Sequence, residues 1–163
     1  MTAVNRRLPM VLLAALAQIR EGLHWRFVHV GGGPLNKRMR KIAARLGISS
    51  RIHWRGALTQ DEVLAEYQTA DVFALASRIA RDGDRDGLPN VLMEAQSQRL
   101  PCVATAVSGI PELIEDGRTG LLVAPGDVDA LAGALARLIG DTALRRRLGA
   151  AGCERTREQF GMA

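Results

Sequence analysis

Short, apolar, β-forming runs alternate with segments of helical period along this chain, and that alternation limits the fold more than any other feature. The runs are residues 25–30 (WRFVHV), 51–54, 71–76 (DVFALA), 100–105 and 119–123. Between them apolar side chains recur at the i, i+3, i+4 spacing of one helical face. Leu8, Val11, Leu12, Ala15, Leu16 and Ile19 form such a face, and Gln18, Arg20 and Glu21 continue its helix. Leu35, Met39, Ile42, Ala43 and Leu46 form another, with Lys37, Arg38 and Lys41 turned away and Gly47 as the stop. Thr59 and Glu62 make a capping box for a helix to about Thr69. Pro89, at a first helical position, opens a helix through about Gln98, and further helices are predicted near residues 111–115, 128–139 and 142–158.

Strands that are apolar on both faces, joined by crossover helices, make a parallel sheet covered on both sides. The expected fold is therefore a doubly wound, Rossmann-like α/β domain. With no repeat, low-complexity stretch or linker, residues 1–163 read as one domain. Such sheets bind ligands beyond the carboxyl ends of their strands, which directs attention to the loops after Val30, Trp54, Ala76, Thr105 and Val123.

Composition removes several classes of function. The net charge is +5, but 20 of the 22 cations are arginines scattered along the chain, so the basic total does not point to nucleic acid. Six aromatic residues are too few for a base-stacking platform. Cys102 and Cys153 make neither a disulfide scaffold nor a Cys-x-x-Cys site, which fits a reducing compartment. Arg6-Arg7, the apolar residues 8–17 and Ala15-Leu16-Ala17 imitate a secretory signal, but the helical face running on past Ala17 favours a buried helix. No apolar run approaches the ~20 residues of a membrane span. The expected location is cytoplasmic or peripheral at a membrane.

Gly31-Gly32-Gly33-Pro34 is either a tight strand-to-helix turn or a place where backbone approaches a ligand. As a dinucleotide fingerprint it fails, since Asn36 stands at the third glycine and no acid lies near residues 51–54. Ser108 lacks the flanking glycines of a nucleophile elbow, because Ala106 and Ile110 occupy those places. His24, His29 and His53 show no metal-ligand spacing and read as core or edge residues, and no metal is expected. The richest stretch is residues 82–94, DGDRDGLPNVLME. There Asp86 and Gly87 end a loop, a proline opens a helix, and Glu94 follows two turns on. The amides of Asn90, Val91 and Leu92 lie in the first helical turn, where unpaired donors and the helix dipole favour an anion such as diphosphate. Asp86 can accept hydrogen bonds from sugar hydroxyls, and Glu94 from a ribose if its helix lines the cleft; the alternative is that these acids only decorate a helix N-terminus.

Several motifs in this order carry a family resemblance: VGGGPL, RIHWRG, ADVFALAS, DGLPNVLMEA, LPCVATAVSGIPELI and DGRTGLLVAPGD. The chain resembles the C-terminal, donor-binding half of the retaining glycosyltransferases called group 1 or family 4, whose two Rossmann-like domains (the GT-B fold) face across a cleft. The resemblance implies sugar transfer from a nucleotide diphosphate sugar with retention, in polysaccharide or glycolipid synthesis. The nucleotide sugar serves as donor substrate and no further cofactor is expected. The family's paired glutamates fall on Asp86, which would contact the transferred sugar as the catalytic residue, and on Glu94, which would hold the ribose. Asn90, Val91, Leu92 and Gly87 would border the diphosphate, Gly56 the base, and Ser77 would close the strand beneath it. Arg7 stands in for the family's basic clamp.

The resemblance also implies an acceptor-binding N-terminal domain that these residues do not supply, and hence an isolated chain without activity. Most of the family's first strand looks missing, which would leave the strands at Trp25 and Asp71 without a neighbour and prone to oligomerise. The alternatives are a non-catalytic nucleotide-sugar-binding module from a truncated or split enzyme, and a dehydrogenase-like dinucleotide binder.

Overall fold

The computed structural model describes residues 1–5, 10–77 and 90–161. In chain order the elements are β1 (Thr2–Asn5), α1 (Met10–Ala17), β2 (Arg26–Val30), α2 (Leu35–Arg45), β3 (Ile52–Gly56), α3 (Gln60–Thr69), β4 (Val72–Leu75), α4 (Asn90–Ser97), β5 (Cys102–Thr105), α5 (Ile110–Leu113), β6 (Leu121–Val123), α6 (Val128–Gly140) and α7 (Thr142–Phe160). The six strands form one parallel sheet in the order β3-β2-β1-β4-β5-β6. This is the doubly wound arrangement that the alternating pattern predicts.

Side chains alternate across the sheet into two cores, as the pleat requires. Phe27, Val72, Ala74, Val103 and Leu121 enter the layer built with α1, α2 and α6. Val28, Phe73, Leu75, Cys102 and Ala104 enter the layer built with α3, α4 and α5. Phe27 and Phe73 are fully buried on opposite faces, each worth roughly 1.5–3 kcal/mol of transfer free energy.

One expectation is corrected at the centre of the sheet. β2 and β4 do not lack a neighbour, because β1 lies between them, with Ala3 opposite Phe27 on one side and Val72 on the other. Four residues suffice, since β4 and β5 are no longer. Oligomerisation through unpaired central strands thereby loses its basis. Among the described residues the sheet ends at β3 and β6, and β3 exposes His53 and Arg55. Charge on an edge opposes further strand pairing.

The helix ends follow local chemistry. Thr59 accepts from the Glu62 amide at 3.3 Å while Glu62 accepts from the Thr59 amide at 2.8 Å, completing the capping box. Asp127 and Asp141 cap α6 and α7 through the Ala130 and Leu144 amides. α1 is shorter than its pattern suggests. It stops at Ala17, where the Gln18 and Ile19 amides bond back only three residues, to Ala15 and Leu16. The chain then turns through Gly22, whose φ of +94° a side chain would resist.

Candidate functional site

The order of the strands locates the site before any side chain is considered. From β1 the chain winds outward through β2 and β3, and from β4 it winds the opposite way through β5 and β6. The crevice between β1 and β4 is thus the topological switch point, where an open α/β sheet receives its ligand.

On one side of the crevice, β2 ends in the glycine turn. Gly31 donates its amide to the Gly56 carbonyl at 2.8 Å, so the ends of β2 and β3 are tied together. Gly33 has φ +128° and Gly56 φ +67°, and a Cβ built on either meets nothing within 4 Å. Glycine is needed there for backbone conformation, and the space above stays open. Asn36, which spoils the dinucleotide fingerprint, has its own task. Its Nδ2 donates to the Gly31 carbonyl at 2.9 Å, and its side chain also hydrogen-bonds His29. His29 is buried, and burial pushes its imidazole below the ordinary histidine range, with the Asn36 bond opposing the shift. It packs edge-on to Trp54. His29 is a core residue, His53 lies on edge strand β3, and His24 is exposed just before β2.

On the other side, β4 runs out through Ala76 to Ser77. The buried Thr105 hydroxyl accepts from the Ser77 amide at 2.8 Å and donates to the Ser77 carbonyl at 2.7 Å. Ser77 is therefore fixed from the neighbouring strand, just past the end of β4. Ser108, exposed at the end of β5, holds φ +49°, and Ile110 follows it into a short helix with proline in the first turn.

α4 carries the remaining described candidates. Leu92, Ala95 and Gln96 are buried against the domain. Gln96 accepts from the Thr156 hydroxyl at 2.9 Å and donates to the Thr119 carbonyl at 3.2 Å, which pins the underside of α4 to α7. A helix turns about 100° per residue, so Glu94 projects about 160° away from Gln96. Glu94 is half-buried and its Oε2 is shielded from solvent. Asn90 is exposed at the start of the helix, Val91 is half-buried, and the Leu92 side chain is wholly inside, leaving only its backbone for a ligand. Arg7, Asp86 and Gly87 lie outside the described residues. Among the described residues no group of three or more His, Cys, Asp or Glu could hold a metal, and no helix is long and apolar enough to cross a membrane.

The sequence reading missed Thr105 and Asn36. A threonine closing an otherwise apolar buried strand was a visible signal for the first, and an amide replacing a glycine beside a turn was one for the second.

Comparison with known proteins agrees with this fold. The family model described as glycosyl transferases group 1 matches residues 2–141. A Salmonella typhimurium protein, by name the colanic acid biosynthesis glycosyltransferase WcaL, is 39% identical over 127 residues, covering 77% of this chain and 31% of that protein. The GDP-mannose-dependent alpha-(1-6)-phosphatidylinositol monomannoside mannosyltransferase of Mycobacterium tuberculosis is 37% identical over 145 residues, covering 88% of this chain and 38% of that protein. Among solved structures, Anabaena Alr3699/HepE in complex with UDP-glucose superposes with a TM-score of 0.83 at 24% identity, covering 98% of this chain and 44% of that one. The chain thus spans about a third of the length of the curated relatives it matches.

Proposed function

The chain belongs to the group 1 glycosyltransferases, and we propose on that premise that it binds the nucleotide diphosphate sugar and presents it for transfer with retention. The observation that carries this reading is Glu94. A carboxyl group with one shielded oxygen stands on the face of α4 turned away from the core, on the helix that follows the switch-point strand β4. Ribose hydroxyls are donors that a carboxylate in this place can accept from.

In this reading the first-turn amides of α4 face the diphosphate, with Arg7 adding charge from the segment after β1. Preorganised donors at that point stabilise the phosphate as the sugar leaves. Asp86 orients the transferred sugar through its hydroxyls, Gly87 lets the backbone approach, and Gly56 leaves room for the base. The relatives named for polysaccharide and glycolipid products, and the UDP-glucose bound by the Anabaena protein, support a sugar nucleotide as ligand. The acceptor would come from a second domain of the kind the longer relatives have room for, and transfer by these residues alone is not expected.

Calorimetric titration with UDP, GDP and NAD tests the reading. Saturable binding of one nucleoside diphosphate, strengthened by its sugar conjugate, is the expected result. Tight binding of NAD with no response to either diphosphate would defeat it.

A further inference from the structure

The cations of this chain are spread along its length, but its excess of positive charge is not. α2 carries Lys37, Arg38, Arg40, Lys41 and Arg45, five of the 22 cations, and none of the 17 acidic residues. The remaining 152 positions hold seventeen charges of each sign, so the whole net charge of +5 sits on eleven residues. All five cations are exposed, while Met39 and Ala43 turn into the core. Lys37, Lys41 and Arg45 follow one another at four-residue spacing, which stacks like charges and disfavours the helix that bears them. Among the described residues no carboxylate stands within ion-pair distance of any of the five. Arg40 lies over the Trp54 ring at 4.9 Å, a contact that positions its charge without cancelling it.

Apolar exposure occurs on the same element. Among the described residues three large hydrophobic side chains are exposed, and two of them, Leu35 at 65% and Leu46 at 40%, bracket α2. Eleven residues of rise separate them, about 16 Å along the axis.

We propose that α2 is a docking surface for an anionic lipid bilayer. A broad negative surface neutralises five unpaired cations together, and each lysine or arginine near such a surface adds to the attraction. Leu35 and Leu46 lie beside the core-facing Met39 on the helix wheel, roughly 140° from the centre of the cation arc, so charge carries the attraction. A single-stranded nucleic acid fits this surface less well, because it seeks exposed rings to stack on. Of the two tryptophans, Trp25 is buried with Arg51 over its ring, and Trp54 is covered by Arg40. α2 begins two residues after Gly33, so docking would hold the rim of the candidate site close to the bilayer. The inference stands apart from the nucleotide reading, since none of these cations belongs to that site.

Cosedimentation of the full chain with vesicles tests it, using phosphatidylcholine alone and phosphatidylcholine mixed with phosphatidylglycerol, each at low and high salt. Binding to the mixed vesicles at low salt, and its loss at high salt or without phosphatidylglycerol, is expected. The double variant Arg38→Glu/Lys41→Glu should bind the mixed vesicles about 30-fold more weakly or worse. Arg137→Glu/Arg146→Glu, an equal change of net charge on exposed residues of α6 and α7, should bind nearly as the parent does. Far-ultraviolet circular dichroism and urea midpoints would establish that both variants fold. Equal losses in the two variants, no binding to mixed vesicles, equal binding to neutral ones, or tighter binding to polyuridylate than to vesicles would each overturn the proposal.

Discussion

The hydroxyl of Thr105 holds both main-chain polar groups of Ser77, accepting from its amide at 2.8 Å and donating to its carbonyl at 2.7 Å. A side chain at the end of β5 therefore does at the rim what a ladder of backbone bonds does within the sheet. Thr105→Val keeps the shape and deletes both bonds, leaving two half-buried polar groups of Ser77 without their partner. The expected loss is about 1–3 kcal/mol of unfolding free energy. Thr105→Ser retains the hydroxyl and should lose less. Urea denaturation of the three proteins decides the matter, and a Val variant as stable as the parent would show that the clamp contributes nothing.

The two carboxylates proposed for the donor site are separable by ligand. Glu94→Ala should weaken both the free nucleoside diphosphate and its sugar conjugate. Asp86→Ala should weaken the conjugate and leave the free diphosphate nearly unchanged. A lost charged hydrogen bond costs roughly 1.5–3 kcal/mol, or about 10- to 150-fold in Kd. Titration of each variant with both ligands reads the pattern, and equal losses throughout would contradict the division of roles.

Much of this fold is written in local signals, and the exceptions share a cause. The box of Thr59 and Glu62 announces α3, Pro89 announces α4, and five of the six strands stand out as apolar runs. β1 does not, because TAVN is four residues with polar ends, and only its place between β2 and β4 makes it a strand. α1 reads as too long, since Gln18, Arg20 and Glu21 suit a helix, whereas its end is set by a turn through Gly22. At the candidate site, Glu94 is suggested by its place two turns into the helix that Pro89 opens, and Ser77 by the family resemblance alone. Thr105 acts on a residue 28 positions away and Gln96 on one 60 away, so neither partnership has a local pattern. The charge of α2 escaped a count of cations because what singles it out is the location of the acids.

Gly149 and Gly133, both inside helices, should respond oppositely to alanine. On α7, a Cβ at Gly149 would overlap the Arg99 carbonyl oxygen and stand 3.5 Å from Pro101. On α6, a Cβ at Gly133 meets nothing within 4 Å. Gly149→Ala must push α7 off the turn that precedes β5, costing roughly 1–3 kcal/mol as overpacking does. Gly133→Ala should instead gain about 0.5–1 kcal/mol, because alanine gives up less conformational freedom in a helix. Thermal unfolding would separate the two, and a stable Gly149→Ala protein would mean that the contact with Arg99 yields easily.

His29 gives the fold a pH dependence whose direction follows from burial. Desolvation disfavours the imidazolium, so the folded protein takes up this proton only below the ordinary histidine value of 6.5. The unfolded chain takes it up near that value. As pH falls through it, the unfolded state therefore binds more protons than the folded one, and stability declines until the lower, folded pKa is reached. Above 6.5 both states are neutral at this position and the effect vanishes. His29→Gln cannot titrate and should lack this component, although it forfeits the edge contact with Trp54 and starts less stable. The stability gap between parent and variant should be constant above that pH and narrow below it. Urea midpoints of both proteins across this range measure the gap. A gap that stays the same throughout would mean that His29 protonates as readily in the folded domain as in the open chain.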